Sequence, residues 1–231
     1  MARIRACVFD AYGTLYDVHS AVRRLAGEVG PEADALSRDW RAKQLEYSWV
    51  RSLMGRHADF WTVTAEALDT AMALHGLRDP ALRAQLLDAY RRLAPYPEVL
   101  GVLRQLKAKG LTVAVLSNGS PAMLADAAAS AGLADWIDFS WSVEQAGIYK
   151  PDRRVYQLAC DALRLEPDEI SFQSSNRWDA AGAANFGFHV VWVNRTGAPD
   201  EYGFAGQVRV IDDLSWLPNV IDPPVWRPAE V

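Results

Sequence analysis

The chain has 231 residues, half of them apolar, and a formal net charge of -5 at pH 7. This acidic balance argues against nucleic acid or an anionic membrane as partner, because neither would be attracted electrostatically. No apolar run is long enough to span a bilayer and no signal-peptide pattern follows Met1, so we expect a cytoplasmic protein. Cys7 and Cys160 are expected to be reduced, buried thiols, and the scattered histidines lack the spacing of a zinc site.

The first predicted element is a buried strand over residues 4–9, and it ends at Asp10. A short loop with Gly13 at the bend follows. A carboxylate at the carboxyl end of a strand lies where α/β sheets form their ligand crevice. Asp10 is therefore a candidate nucleophile, since carboxylates can form covalent esters that water later cleaves. The alternative at this stage is an ordinary turn or helix-capping aspartate.

Residues 16–96 are predicted to be helical. Apolar side chains recur at helical spacing in three consecutive segments, and Pro95 and Pro97 then end the pattern because proline cannot continue a helix. This places an all-helical insertion directly after the first strand. Such an insertion hangs over the carboxyl ends of the strands, so we expect it to be a cap.

From Val99 onward, predicted helices and strands alternate, a pattern typical of a doubly wound parallel sheet. The expected architecture is an α/β core over residues 1–15 and 97–222, with the helical cap between them. Residues 223–231 are proline-rich and are expected to form an extended tail. The predicted strands lie at 112–116, 137–143, 170–173, 189–193 and 208–211, and the helices between them at 121–131, 152–163 and 178–185.

Polar side chains follow four of these chain segments at the same edge of the sheet. Any one of them could be a helix cap, a first-turn acid or a solvated lysine. A parallel sheet brings all four loops together, however, which favours a single site. The four loops carry Asp10, Ser117-Asn118-Gly119, Lys150-Pro151 and Ser174-Ser175-Asn176-Arg177-Trp178-Asp179.

These segments resemble the motifs of the haloacid dehalogenase superfamily and, more narrowly, its type II L-2-haloacid dehalogenases. The cap segments around Trp40–Trp49 and Ala58–Trp61 are also similar to the cap of that subfamily. The resemblance runs from about Ile4 to Arg195 in the correct order. It implies a Rossmann-like core, hydrolysis of small (S)-2-haloalkanoic acids to (R)-2-hydroxy acids, and a homodimer.

The resemblance also bears on metal use. Most phosphatases of the superfamily carry a second aspartate two positions after the nucleophile, where this chain has Tyr12. Mg²⁺ is usually held by carboxylates in octahedral geometry, and this site offers Asp10, Asp179 and little else. A halide leaves as an anion and needs no proton from an acid at Tyr12. We therefore expect a reaction without metal or other cofactor.

The expected mechanism has two steps. Asp10 attacks carbon 2 of the haloacid, and water then cleaves the resulting ester. The remaining catalytic roles fall to Lys150, which keeps Asp10 ionised; to Thr14 and Ser174, which hold Asp10 by hydrogen bonds; to Asp179 with Asn176, which activate water; and to Tyr156, which the resemblance puts in the site, hydrogen-bonded to Lys150.

The predicted substrate-binding residues come from both the cap and the core. A helix start and a hydroxyl commonly bind a carboxylate, and a guanidinium suits a departing halide. The set comprises Ser117 for the substrate carboxylate, Arg41 with Asn118 for the halide, and Tyr12, Leu45, Phe60 and Trp178 around the alkyl group.

Two other functions stay open on the sequence alone. The first is a magnesium-dependent phosphatase acting on a small phosphate ester. The second is a non-catalytic binding protein on the same scaffold, because fold does not determine function.

Overall fold

The computed structural model describes residues 3–203 and 206–221. Its strands are β1 (Ala6–Phe9), β2 (Thr112–Ser117), β3 (Phe139–Ser142), β4 (Ile170–Ser174), β5 (His189–Val193) and β6 (Arg209–Ile211). Within the described residues they form one parallel sheet in the order β3-β2-β1-β4-β5-β6. The predicted α/β class with a parallel sheet is confirmed.

The central strands are apolar on both faces because helices cover the sheet on each side. All four residues of β1 are fully buried, and five of the six residues of β2 are buried. In the register of the sheet, Phe9 lies opposite Val115 and Gln173. The residues that follow these positions along the chain therefore emerge at one edge, which is where the predicted site residues lie.

The helices account for most of the remaining chain. The first five lie between β1 and the next core helix, and we call them the cap helices. They are α1 (Ser20–Arg24), α2 (Ala26–Val29), α3 (Ala33–Leu53), α4 (Phe60–Leu74) and α5 (Pro80–Arg91), followed by the core helices α6 (Val99–Ala108), α7 (Pro121–Ser130), α8 (Arg153–Leu163), α9 (Arg177–Phe186) and α10 (Leu217–Val220).

Polar interactions bind the long cap helices α3 and α4 to each other. The Trp40 indole N–H donates to the Thr64 carbonyl at 2.9 Å, and the buried Gln44 amide donates to the Thr64 hydroxyl at 3.0 Å. The Tyr90 hydroxyl of α5 donates to the other end of the Gln44 amide at 3.2 Å. Buried polar groups need such partners because an unmade hydrogen bond costs free energy.

The chain passes between the core and the cap helices at two adjacent crossings. Asp17 N donates to the Ala94 carbonyl at 2.9 Å, and Tyr96 N donates to the Leu15 carbonyl at 3.0 Å. The predicted boundary at residues 15–16 and 96–97 falls at these crossings. The division into a core domain and a cap domain stays a prediction that this arrangement supports.

The observed elements differ from the predicted ones by a few residues at their ends. The first strand begins at Ala6 rather than Ile4, and the extended piece expected at 137–143 is the four-residue edge strand β3. The expected tail at 223–231 lies outside the described residues. None of the helices within 3–203 and 206–221 is both long and apolar enough to cross a membrane.

Candidate active site

Asp10 lies at the carboxyl end of β1 with its carboxylate almost fully buried. Its backbone N–H donates to the Gln173 carbonyl of the neighbouring strand at 2.9 Å, which fixes the start of the loop. Both carboxylate oxygens have donors. Oδ2 accepts from the Thr14 hydroxyl at 3.1 Å and from the Asn176 amide at 2.8 Å, and Oδ1 accepts from Lys150 Nζ at 3.2 Å.

Lys150 joins the two acids of the site. Its side chain has no exposed surface, and its ammonium lies 3.2 Å from Asp10 Oδ1 and 2.9 Å from Asp179 Oδ2. The ammonium also lies 4.9 Å from the centroid of the Phe172 ring. One cation therefore serves two buried carboxylates. Without it, their mutual repulsion and desolvation would favour protonation of at least one of them.

Asp179 lies in the first turn of α9 and is completely buried. The Tyr156 hydroxyl donates to its Oδ1 at 2.8 Å, while Lys150 binds its Oδ2. Burial raises the pKa of Asp179 to about 6, although Lys150 and the Tyr156 hydroxyl act in the opposite direction. A carboxylate whose pKa is close to neutral suits a general base.

Three of the expected site residues have hydrogen-bond partners that differ from the expected ones. The Ser174 hydroxyl, expected to hold Asp10, instead accepts from Asn176 N at 3.1 Å and so shapes the turn before α9. Asn176, expected to orient water, is the residue whose amide holds Asp10. The Tyr156 hydroxyl, expected to bind Lys150, donates to Asp179 instead, because its proton needs an acceptor, which a carboxylate offers and an ammonium does not.

Ser117 and Asn118 both lie buried at the end of β2. The Ser117 hydroxyl oxygen accepts from Gly119 N at 3.1 Å, which tightens the turn after the strand. The Asn118 side-chain carbonyl accepts from Lys150 N at 3.2 Å and so ties this loop to the lysine loop. Asn118, a predicted substrate-binding residue, therefore also supports the backbone that carries Lys150.

Arg41 reaches from α3 into the site. Its Nη2 lies 3.4 Å from the Tyr12 carbonyl and 3.3 Å from the Asn176 side-chain oxygen. Asn176 thus accepts from the cap arginine with one end of its amide and donates to Asp10 with the other. A cation carried by the cap is linked to the nucleophile through a single side chain.

The apolar wall of the site comes from both layers. The Tyr12 ring lies 6.0 Å from Phe60, and its hydroxyl is buried without a hydrogen-bond partner among the described residues. Trp178 meets Trp49 of α3 edge-on at 5.4 Å. Leu45 is only partly buried and lies one turn along α3 from Arg41. The predicted wall residues therefore lie on elements that face each other across the cap–core boundary.

Sequence reasoning missed several neighbours of the site. Tyr90 of α5 stacks on Tyr12 with ring centroids 5.7 Å apart, and Tyr149 packs against Phe60 at 5.9 Å. Tyr90 occurs in an ordinary apolar helical pattern, so nothing in the sequence marks it. Tyr149 directly precedes Lys150, and this adjacency was the available signal.

The site does not fit the magnesium ion that the alternative of a magnesium-dependent phosphatase requires. The described residues contain no group of three or more His, Cys, Asp or Glu side chains arranged to hold a metal. More directly, the Lys150 ammonium contacts both Asp10 and Asp179. A divalent cation bridging these carboxylates would have to displace this buried ammonium.

Fold and site together define a hydrolase built around a strand-end aspartate. Residues 4–187 match the haloacid dehalogenase-like hydrolases, and the chain belongs to that family. It is 51% identical over 222 residues to (S)-2-haloacid dehalogenase 1 of Pseudomonas sp. (strain CBS-3), covering 96% of this chain and 98% of that protein. The resemblance drawn from the sequence motifs is confirmed.

Two of the solved structures that this chain resembles are also dehalogenases. A dehalogenase solved with an intermediate complex is 48% identical and has a TM-score of 0.94, with 97% of this chain and 100% of that chain covered. The L-2-haloacid dehalogenase of Xanthobacter autotrophicus, solved with chloropropionic acid covalently bound, is 39% identical with a TM-score of 0.85. There the match covers 94% of this chain and 98% of that chain.

The close contact of Gly182 with the site supplies a first prediction. A Cβ on Gly182 would lie 2.5 Å from both Pro151 Cβ and the Tyr156 hydroxyl. We expect Gly182→Ala to destabilise the protein by about 1–3 kcal/mol through overpacking and to lower activity by moving Tyr156 and the Lys150 loop. Urea unfolding and halide-release assays measure the two effects.

The matched control for this substitution is Gly101→Ala in helix α6, where an added Cβ meets nothing within 4 Å. It should stabilise the helix by about 0.5–1 kcal/mol, because alanine loses less backbone entropy on folding than glycine. A Gly182→Ala protein as stable and active as the Gly101→Ala protein would contradict the packing argument.

Proposed function

We propose that this protein hydrolyses small (S)-2-haloalkanoic acids to (R)-2-hydroxyalkanoic acids and halide, through an ester on Asp10. The protein is a hydrolase of carbon–halide bonds, as are the relatives it matches over nearly their full length. The observation that carries the proposal is that the buried Asp10 carboxylate accepts hydrogen bonds from three donors, on Thr14, Asn176 and Lys150. A carboxylate so oriented and kept out of water is a competent nucleophile.

In the proposed first step, an Asp10 carboxylate oxygen attacks carbon 2 of the haloacid in line with the carbon–halogen bond. A carbon–oxygen bond forms, the carbon–halogen bond breaks, and the halogen leaves as halide with the bonding electron pair. The configuration at carbon 2 inverts. Lys150 offsets the repulsion between the anionic nucleophile and the anionic substrate, because opposite charges within a few ångströms interact strongly in a buried site.

The departing halide and the substrate carboxylate both need donors. Arg41 is the proposed halide partner, because its guanidinium reaches the boundary between the cap helices and the nucleophile loop. Asn118 is proposed to assist it. Ser117 and nearby backbone N–H groups are proposed to bind the carboxylate, and Tyr12, Leu45, Phe60 and Trp178 to surround the alkyl group.

In the proposed second step, Asp179 takes a proton from water, and the resulting hydroxide attacks the carbonyl carbon of the Asp10 ester. The acyl carbon–oxygen bond of the ester breaks and releases the 2-hydroxy acid, whose alkoxide oxygen takes the proton held by Asp179, while the other proton of the water leaves the new Asp10 carboxyl group for solvent. Asp10 returns as a carboxylate carrying one oxygen from water. Tyr156 and Lys150 hold Asp179 for this role, and Ser174 shapes the turn that carries Asn176.

Isotope labelling tests the covalent route. A single turnover with excess enzyme in H₂¹⁸O should introduce the label into Asp10 before any labelled product forms, as peptide mass spectrometry would detect. Labelled 2-hydroxy acid from unlabelled enzyme would instead indicate direct attack by water. Asp10→Asn should lose at least about 1000-fold in halide release, because an amide is a poor nucleophile for this displacement.

The raised pKa of Asp179 predicts the pH dependence of ester hydrolysis. The base must be a carboxylate, and the ester removes the Asp10 charge that helps to raise this pKa, so the rate of ester breakdown should be constant above pH 6 and should fall only at lower pH. Rapid-quench measurements separate ester formation from ester breakdown across this range. Asp179→Asn should slow breakdown far more than formation, and equal slowing of both steps would refute the assigned role.

The alternatives from the sequence give opposite results in one assay. Halide release from the (S) enantiomer of 2-chloropropionate should exceed that from the (R) enantiomer and should be unaffected by EDTA. A magnesium-dependent phosphatase would release phosphate from small esters, lose that activity with EDTA and regain it with Mg²⁺. A non-catalytic binding protein would bind the haloacid without releasing halide.

We also propose that the protein is a homodimer through the cap. Three apolar side chains at the end of α3 are well exposed, with Leu53 88% exposed, Met54 57% and Val50 44%. Exposed apolar patches of this kind mark interfaces.

Cys7 and Cys160 are both buried thiols that do not form a disulfide, which supports the proposal of a reducing, cytoplasmic location.

Sedimentation of a Leu53→Glu variant tests the dimer. A charge in an apolar interface should convert the wild-type dimer to monomer at micromolar concentration, because the charge must lose its hydration on association. Val210→Glu, at an exposed apolar position on the edge strand β6, is the control and should sediment as wild type. A monomeric wild-type protein would contradict the proposal outright.

A further inference from the structure

Besides the two chain crossings, the cap helices touch the core at a compact contact beside the site. Residues 52–60, from the end of α3 to the first residue of α4, meet core residues 144–149 there. We call this contact the clasp. None of its hydrogen-bonding side chains has a role in the two-step reaction proposed above.

Glu144 is the core side of the clasp. Its Oε1 accepts from Phe60 N at 3.1 Å, and its Oε2 lies 2.7 Å from His57 Nε2. Phe60 N is one of the first N–H groups of α4, which no carbonyl inside the helix can satisfy. A negative charge is also favourable at a helix N-terminus. The core thus supplies a carboxylate that this cap helix needs.

Tyr149 is the second core residue of the clasp. Its backbone N–H donates to the Ser52 hydroxyl at 3.3 Å, and its own hydroxyl donates to the Ala58 carbonyl. Its ring packs against His57 at 4.9 Å and Phe60 at 5.9 Å. Burial raises the pKa of Tyr149, so the hydroxyl remains a donor at neutral pH.

The clasp connects directly to the site at both ends. Tyr149 precedes Lys150, whose ammonium binds Asp10 and Asp179. Phe60 packs against Tyr12 in the proposed pocket wall. The same few hydrogen bonds therefore hold a cap wall residue and the backbone of the buried lysine in a fixed relation.

We propose that Glu144 and Tyr149 are positioning residues, which hold the cap helices closed over the Lys150 loop and so assemble the haloacid pocket. This inference rests on the proposed function. Substrate entry requires the clasp to loosen, and binding in the pocket requires it to re-form. A weaker clasp lowers the closed fraction, and apparent affinity falls in proportion to that fraction. Bound substrate restores closure, so KM should rise while kcat is largely kept.

Steady-state kinetics of three variants test the proposal. Glu144→Ala should raise KM for (S)-2-chloropropionate about tenfold with kcat within about twofold, because it removes charge-assisted hydrogen bonds from the closed state. Glu144→Gln should give a smaller rise, since its amide oxygen can still accept from Phe60 N. His57→Ala, at a partly exposed position, should also raise KM, because it removes the partner of Glu144 Oε2.

The matched control is Asp126→Ala. Asp126 pairs with Arg91 across the same cap–core boundary at 2.9 Å, but both side chains are about two-fifths exposed. Exposed ion pairs contribute little free energy, so KM should stay within about twofold of wild type. Hydrogen exchange of the Phe60 and Tyr149 amides should quicken in Glu144→Ala and remain unchanged in Asp126→Ala.

The outcomes separate the two proposals. A wild-type protein that releases no halide would refute the proposed function, and amide exchange would still report on the clasp. An active wild type with an unchanged KM in Glu144→Ala and His57→Ala would overturn the clasp. So would an equal rise of KM in Asp126→Ala, or a loss confined to kcat.

Discussion

The site depends on one buried cation shared by two buried carboxylates. Lys150 has no contact with solvent, yet it binds both Asp10 and Asp179. Two acids this close and this poorly hydrated could not both remain ionised without a neighbouring positive charge. The ammonium contacts the carboxylate of the proposed nucleophile Asp10 directly. It also leaves Asp179, with a pKa near 6, able to exchange a proton near neutral pH.

The surrounding structure serves to keep that ammonium in place. The Asn118 side chain at the end of β2 accepts from the Lys150 backbone N–H. The backbone N–H of the preceding residue, Tyr149, donates to the Ser52 hydroxyl of cap helix α3. Asn176 connects Asp10 to Arg41 of the cap. The cap and the core are therefore connected through the charged side chains of the site as well as at the two chain crossings. A change in the position of the cap would move groups that bind the nucleophile Asp10 and groups that bind the Lys150 loop.

The sequence predicted most of the fold, and it predicted that the side chains of several strand-end loops come together, for identifiable reasons. Largely apolar runs such as residues 112–116 and 189–193 mark strands of a parallel sheet, whose topology brings strand ends to one edge. Asp10, Lys150 and Asp179 could be grouped on that basis alone. The partners of individual hydrogen bonds could not. Ser174 and Tyr156 were assigned to Asp10 and Lys150, whereas the structure gives them Asn176 and Asp179.

The local pattern of apolar, polar and helix-breaking residues determined the helices and strands and their order. It also determined which charged residues follow the strand ends and so lie near the crevice. Tertiary structure alone decided which donor meets which acceptor. It also decided that Glu144, in a short turn with no distinguishing pattern, caps a helix 84 residues earlier in the chain. The reason is geometric: a hydrogen bond depends on differences of tenths of an ångström between side chains. Distances of that size are set by how whole layers pack, and not by spacing along the chain.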